Sequence, residues 1–299
     1  MREKEAKTVL TPQNGMNIYR GCTVGCMCCD PRSKCYRFEG EFTDVEVKIN
    51  GPALLEKSLK SKRRHCMIGV GSMSDPYQPL EKELGLMRKA LAHIHYYGFG
   101  VAIETRSDLV LRDLDYLKSI NEKAKCVVIM PINTAEEALS AILEPSAASV
   151  KARVEALLAL REAGITTIVS MAPFLPFIND TRENVEAVLG LVEKVRPYGV
   201  LCKFIGCNLR DGSREFFYQK LDENFPGMRE RYEAAFGKSY DLVSENNKEL
   251  MERIRTFLTE RQILSDQERL RTYLKGFEDK LAGVQIEMPL GMLQAQAGG

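Results

Sequence analysis

The chain has 299 residues, 44% of them hydrophobic and 28% charged, an ordinary balance for a folded protein with a substantial core. A net charge of +1 excludes broad electrostatic attraction to nucleic acid or to an anionic membrane, although a local patch remains compatible with it. No run approaches the ~18 apolar residues that span a bilayer. Met1-Arg2-Glu3-Lys4-Glu5 lacks the apolar stretch of a signal peptide, so a cytoplasmic protein whose nine cysteines are reduced or metal-bound is expected.

Residues 1–15 are polar and read as a lead-in, and Met16 to Tyr19 reads as a short strand. That strand delivers Cys22, Cys26 and Cys29, with three and then two residues between them. Thiolates are the usual holders of iron–sulfur clusters, normally one per iron. Three of them on a tight loop hold three irons of a four-iron cluster and leave the fourth open for a substrate or cosubstrate. The competing reading uses the same cysteines for a non-catalytic iron–sulfur site or a structural zinc site. Pro31 to Arg37 is basic, and Lys57 to His65 carries Lys57, Lys60, Lys62, Arg63 and Arg64. That second stretch is either a solvated helix end or a phosphate-contacting patch.

From residue 66 apolar runs alternate with amphipathic patterns. Strands are predicted at Cys66–Gly71, Phe99–Glu104, Cys126–Ile132, Ile165–Ala172 and Val200–Ile205, with helical spacing between them. Near-continuous apolar strands separated by helices predict a parallel sheet flanked by helices. With Met16–Tyr19 the strands number six, too few for a closed eight-stranded barrel. A six-stranded open barrel and a doubly wound sheet both remain. In either, chemistry belongs at the C-terminal ends of the strands. The expected division is a lead-in at 1–15, the α/β unit at 16–206, a mostly helical extension at 207–292 and a disordered tail at 293–299. In the extension, Leu250, Ile254, Phe257 and Leu258 form one apolar stripe. His65, His93 and His95 form no metal constellation, because residues two apart on a helix point in different directions.

The motifs together resemble the radical S-adenosylmethionine (SAM) superfamily, specifically the branch related to spore photoproduct lyase and labelled "DNA repair photolyase"-like. The resemblance is carried by Asn17 to Cys22, the cysteine loop, Ser74 to Glu81, Glu104 to Ser107, Glu144-Pro145 with Arg153, Pro173 to Asp180 and Leu209 to Gly212. It implies a partial (β/α)6 barrel, a [4Fe-4S] cluster on Cys22, Cys26 and Cys29, and SAM on the open iron. It also implies a one-electron donor of flavodoxin or ferredoxin type, reductive cleavage of SAM to a 5′-deoxyadenosyl radical, and hydrogen abstraction from a substrate. Nucleic acid is the substrate class suggested by the branch. By the same resemblance Ser74 and Asp75 contact the SAM amino group, Arg106 takes the place of a common lysine on the SAM carboxylate, and Asn133 reaches the ribose or carboxylate. The chain departs from the pattern at Cys28, where an aromatic residue is usual, and at Met73, where spore photoproduct lyase has a hydrogen-donating cysteine. Tyr77, Cys202 and Cys207 are the candidates for a radical relay or a replacement thiol. Asp180 reads as the N-cap of the helix that follows it.

Overall fold

The computed structural model describes residues 1–281; the expected tail at 293–299 and the end of the extension lie outside them. A short strand β1 (Arg2–Lys4) opens the chain, followed by β2 (Gly15–Met16) and β3 (Tyr19–Arg20). The single strand expected at Met16–Tyr19 is therefore two. Asn17 N donates to Val9 O and Ile18 O accepts from Lys48 N, which turns the chain out of one sheet and into another. β3 pairs antiparallel with β4 (Glu46–Lys48), and β4 pairs with β1.

The main sheet is parallel throughout and has the order β2, β5 (Met67–Val70), β6 (Gly100–Glu104), β7 (Cys126–Pro131), β8 (Thr166–Ser170), β9 (Gly199–Leu201). Six parallel strands in sequential order, wrapped by helices, make the partial (β/α)6 barrel. Successive side chains point to opposite faces, and both faces are covered. Ile68, Val101, Ile103, Val128 and Val169 pack under the helices α1 (Gly51–Ser61), α3 (Leu86–Tyr96), α4 (Leu114–Lys123), α6 (Val150–Glu162) and α7 (Arg182–Val195). Two shorter helices, α2 (Glu81–Leu84) and α5 (Glu137–Leu143), lie between them. Met67, Ala102, Val127, Ile129 and Ile168 face the other way and pack on Leu270 of α11 (Gln267–Lys275).

The extension does more than add helices. β10 (Gly206–Asn208) pairs antiparallel with β11 (Asp241–Val243), with α8 (Ser213–Asn224) and α9 (Met228–Phe236) between them. The sixth barrel strand accordingly stops at Leu201, short of the expected Ile205. Leu250, Ile254, Phe257 and Leu258 of α10 (Asn247–Glu260) are buried in the main core. Asp180 is not the cap of α7. Thr181 Oγ1 accepts from Asn184 N at 3.2 Å, while Asp180 Oδ2 accepts from the Ser244 hydroxyl of the extension.

One glycine is required by close approach. Gly71, just beyond β5, has φ +105°, and a Cβ there would overlap the Glu104 carbonyl oxygen. Gly71→Ala is expected to lose roughly 1–3 kcal/mol from backbone strain alone, with the overlap adding to it. A thermal melt checks this, and a variant as stable as wild type would contradict the packing described.

Candidate active site

The turn after β3, the segment after β5 and the end of β6 converge at the C-terminal ends of the strands. There they enclose a cavity of about 160 Å³. Cys22, Cys26, Cys28 and Cys29 line it, together with Asp30, Ser74, Asp75, Glu104 and Arg106. Gly21, with φ +87°, makes the bend that sends the chain from β3 into the loop; a Cβ at that position would collide with Phe42 O. Ser74 donates its hydroxyl to Gly21 O, tying the second segment to the first.

The thiols of Cys22, Cys26 and Cys29 are close enough to perturb one another. Burial pushes the Cys22 thiol up to about 12 and pushes those of Cys26 and Cys29 up as well. Buried thiols of this kind become thiolates only when a cation compensates the charge. Cys28 is set apart from the three. Its Sγ lies 4.0 Å from Asn208 O, and a hydrogen bond with Cys207, then burial, raise its thiol. Among the described residues, no group of three or more His, Cys, Asp or Glu converges tightly enough for a single ion.

Asp75 is buried and holds the floor of the cavity. Its Oδ1 accepts from Thr105 Oγ1 at 2.6 Å and Tyr77 N at 2.9 Å, and its Oδ2 accepts from Arg106 N at 2.8 Å. Glu104 faces the cavity because it is two residues beyond Ala102 on the concave side of β6. Burial raises its carboxyl above the usual range against the pull of Arg106. Sequence reasoning placed Glu104 at a strand end and in a motif but gave it no role, although that in-phase position was the available signal. Arg106 donates through Nε to Glu144 Oε1 at 2.7 Å, and Glu144 Oε2 accepts from Arg153 at 2.6 Å. Burial pulls the Arg106 guanidinium down, but Cys26, Glu144 and Glu104 outweigh it and hold it above its ordinary value.

The other expected site residues lie elsewhere. Asn133 is buried off the cavity, its carbonyl accepting from Asn179 and Asn184 at 2.9 Å each. Tyr77 is buried, donates to Asp113 Oδ2 at 3.2 Å and does not line the cavity. Tyr77→Phe is expected to cost about 0.5–1.5 kcal/mol, and a thermal melt that matches wild type would contradict the hydrogen bond to Asp113. Cys202 packs against Met251 Sδ at 3.6 Å, in a separate pocket with Val200 and Lys203. Cys207 is buried in β10 behind Cys28. The stretch Lys57–Arg64 precedes β5 and so sits at the opposite end of the barrel from the cavity.

Residues 16–192 match the sequence profile of the radical SAM superfamily. The chain belongs to that superfamily. An uncharacterized protein of Methanocaldococcus jannaschii is 34% identical over 77% of this chain and 78% of its own length. An uncharacterized protein of Mycobacterium tuberculosis is 27% identical over 84% of this chain and 75% of its own. Among solved structures, a single-site mutant of spore photoproduct lyase superposes with TM-score 0.65 at 15% identity, covering 88% of this chain and 80% of that one. A doubly substituted form of the lyase with bound AdoMet and dinucleoside spore photoproduct gives 0.60 at 16%, covering 84% and 75%. These likenesses establish a shared fold.

Radical SAM membership implies a [4Fe-4S] cluster and SAM, and the residues present fit the cluster. All nine cysteines are free. Near the three thiols, Arg32 Nε is buried without a hydrogen-bond partner among the described residues. A buried N–H is rarely left unpaired, and a cluster or cysteinyl sulfur is an acceptor of the kind it lacks. No helix among the described residues is long and apolar enough to cross a membrane.

Proposed function

We propose that the chain is a radical SAM enzyme whose [4Fe-4S] cluster is held by Cys22, Cys26 and Cys29, with SAM on the iron that carries no protein sulfur. The observation that supports this most is the opening of those three thiols, Glu104 and Arg106 onto one cavity at the C-terminal ends of the strands. Cys22, Cys26 and Cys29 would hold the cluster, which with SAM would supply one-electron reductive cleavage and hydrogen-atom abstraction from a substrate.

The chain's own residues bind, orient and exclude water. Glu104 is the acceptor for the SAM ammonium. Arg106 takes the SAM carboxylate through its terminal nitrogens, since its Nε is committed to Glu144. Asp75 is a positioning residue, because its carboxylate already accepts from Thr105, Tyr77 and Arg106. Ser74 acts likewise by holding the cysteine loop. A small iron–sulfur or flavin protein serves as the one-electron donor. Anaerobic reconstitution followed by a 5′-deoxyadenosine assay with dithionite and SAM tests the reading; no product from a protein carrying its full iron would overturn it.

Nucleic acid is the substrate class we assign, on the likeness to spore photoproduct lyase. The cations beside the cysteine loop are Lys34, Arg37 and Arg210, of which Lys34 pairs with Glu215 and Arg210 with Asp30, and not the Lys57–Arg64 stretch. Binding that falls as salt rises, with DNA or RNA as probe, is expected from backbone phosphate contacts. A flat response would remove nucleic acid.

A further inference from the structure

Arg32 stands on the short 3-10 turn Asp30–Arg32 directly after the cysteine loop. Its guanidinium is stacked between two rings, 3.7 Å from the centroid of Phe216 and 4.7 Å from that of Phe42. Phe42 packs in the same small apolar cluster as Cys22, Cys26 and Cys29. Phe216 comes from α8, nearly the whole barrel away in sequence. The segment carrying it is laced to the turn: Lys34 N donates to Asp211 O at 2.9 Å, and a Cβ at Gly212 would crowd Arg32 O. Two separate parts of the chain therefore pin this cation in place.

Arg32 does not line the cavity, so it is not placed to touch SAM or substrate. Its stacked faces meet hydrocarbon, and its Nε hydrogen is buried without an acceptor among the described residues. Burial pulls the guanidinium below its ordinary value, and Cys29, Cys22 and Cys26, then the Glu41 carboxylate, are the groups that push it back up. A permanently charged group thus lies within electrostatic reach of the three thiols, with one donor unspent among the described residues. Holding a cation between rings costs little extra ordering, because the planar fork stacks on aromatic faces.

We propose that Arg32 is a positioning residue for the cluster, a fixed positive charge and N–H donor that raises the cluster's reduction potential. This rests on the cluster assignment above. Reduction adds one negative charge to a centre already carrying three thiolates. A nearby cation stabilises the reduced form more than the oxidised one, and hydrogen bonds to sulfur act in the same direction. The clamp also explains why the extension is tied to the loop: α8 fixes the charge that makes electron entry easier.

The test is an EPR-monitored redox titration of reconstituted protein, with iron content and the SAM-induced change in the EPR spectrum recorded alongside. At the wild-type midpoint, Arg32→Met and Arg32→Gln are expected to show a reduced-to-oxidised ratio about tenfold lower, equivalent to about 59 mV for one electron. Arg32→Lys, which keeps the charge, is expected within about threefold of wild type. Neutral variants with full iron that titrate with wild type would overturn the proposal. So would a lysine variant shifted as far as the neutral ones. If the neutral variants lose iron, Phe216→Leu carries the test, because it keeps the charge and removes the ring that pins it. A shift in the same direction supports the proposal and an unmoved midpoint overturns it. Wild type that fails to bind about four irons, or whose spectrum ignores SAM, sinks the cluster assignment instead, so the two failures are distinguishable.

Discussion

Cys26→Ser is expected to fall from about four irons per chain to fewer than one, with 5′-deoxyadenosine formation lost, whereas Cys28→Ser keeps its iron. The contrast follows from where the two thiols sit. Cys26 is buried with Cys22 and Cys29 as neighbours, and burial raises its thiol against the pull of Arg106. Cys28 is drawn the other way, toward Cys207 and the Asn208 carbonyl. A serine oxygen is a poor substitute for a thiolate on iron, and two remaining thiolates do not close a four-iron cluster. Iron and sulfide analysis after anaerobic reconstitution checks both variants. Iron lost from Cys28→Ser would mean that Cys28 occupies the corner assigned to SAM.

Arg153→Leu is expected to cost roughly 3–5 kcal/mol, because it removes one of the two cations that hold the buried Glu144 carboxylate and leaves only Arg106 on its other oxygen. Arg153 is 1% exposed and Glu144 3%, so water cannot replace the lost partner. The same side chain donates to Pro131 O, Ala148 O and Ser140 Oγ at 2.7–2.9 Å, which leaves three more acceptors short. A fall in Tm on the order of 10 °C is the expected readout. Burial pushes the Glu144 carboxyl up, but Arg106 and Arg153 outweigh it and hold it below the usual range. A depressed carboxyl stabilises the fold above its unfolded value, near pH 4.3, and that contribution is lost as pH falls through the folded value. The gap between wild type and Arg153→Leu is therefore full at pH 7 and narrows in acid. A variant that melts with wild type would show that the pair does not support the Arg106 wall of the cavity.

The two ends of this arrangement were legible to different degrees. The spacing of Cys22, Cys26 and Cys29 is local, and so are the apolar runs that became β5 to β8; short-range pattern suffices for both. The rule that chemistry gathers after parallel strands pointed to the segments at Ser74 and Arg106, and both line the cavity. It could not separate Arg106, which opens onto the cavity, from Asn133, which follows the next strand and is buried with its backbone carbonyl taken by Asn179 and Asn184. That difference depends on packing from residues 46 and 51 positions away. Asp180 shows the same limit: its neighbour Thr181 caps the helix because Ser244, far along the chain, claims the Asp180 carboxylate. Glu144-Pro145 with Arg153 was visible as a motif, but its task, holding Arg106 by Nε, appears only when α5, α6 and the end of β6 are assembled. The Phe216 ring over Arg32 is the longest reach of all, joining α8 to the cysteine loop.

The central claim is that one iron of the cluster is left to SAM, and the EPR spectrum of the dithionite-reduced, reconstituted protein tests it most directly. Adding SAM is predicted to change the g-values of the reduced cluster, because the ligand set of one iron changes. A spectrum identical with and without saturating SAM would contradict the account.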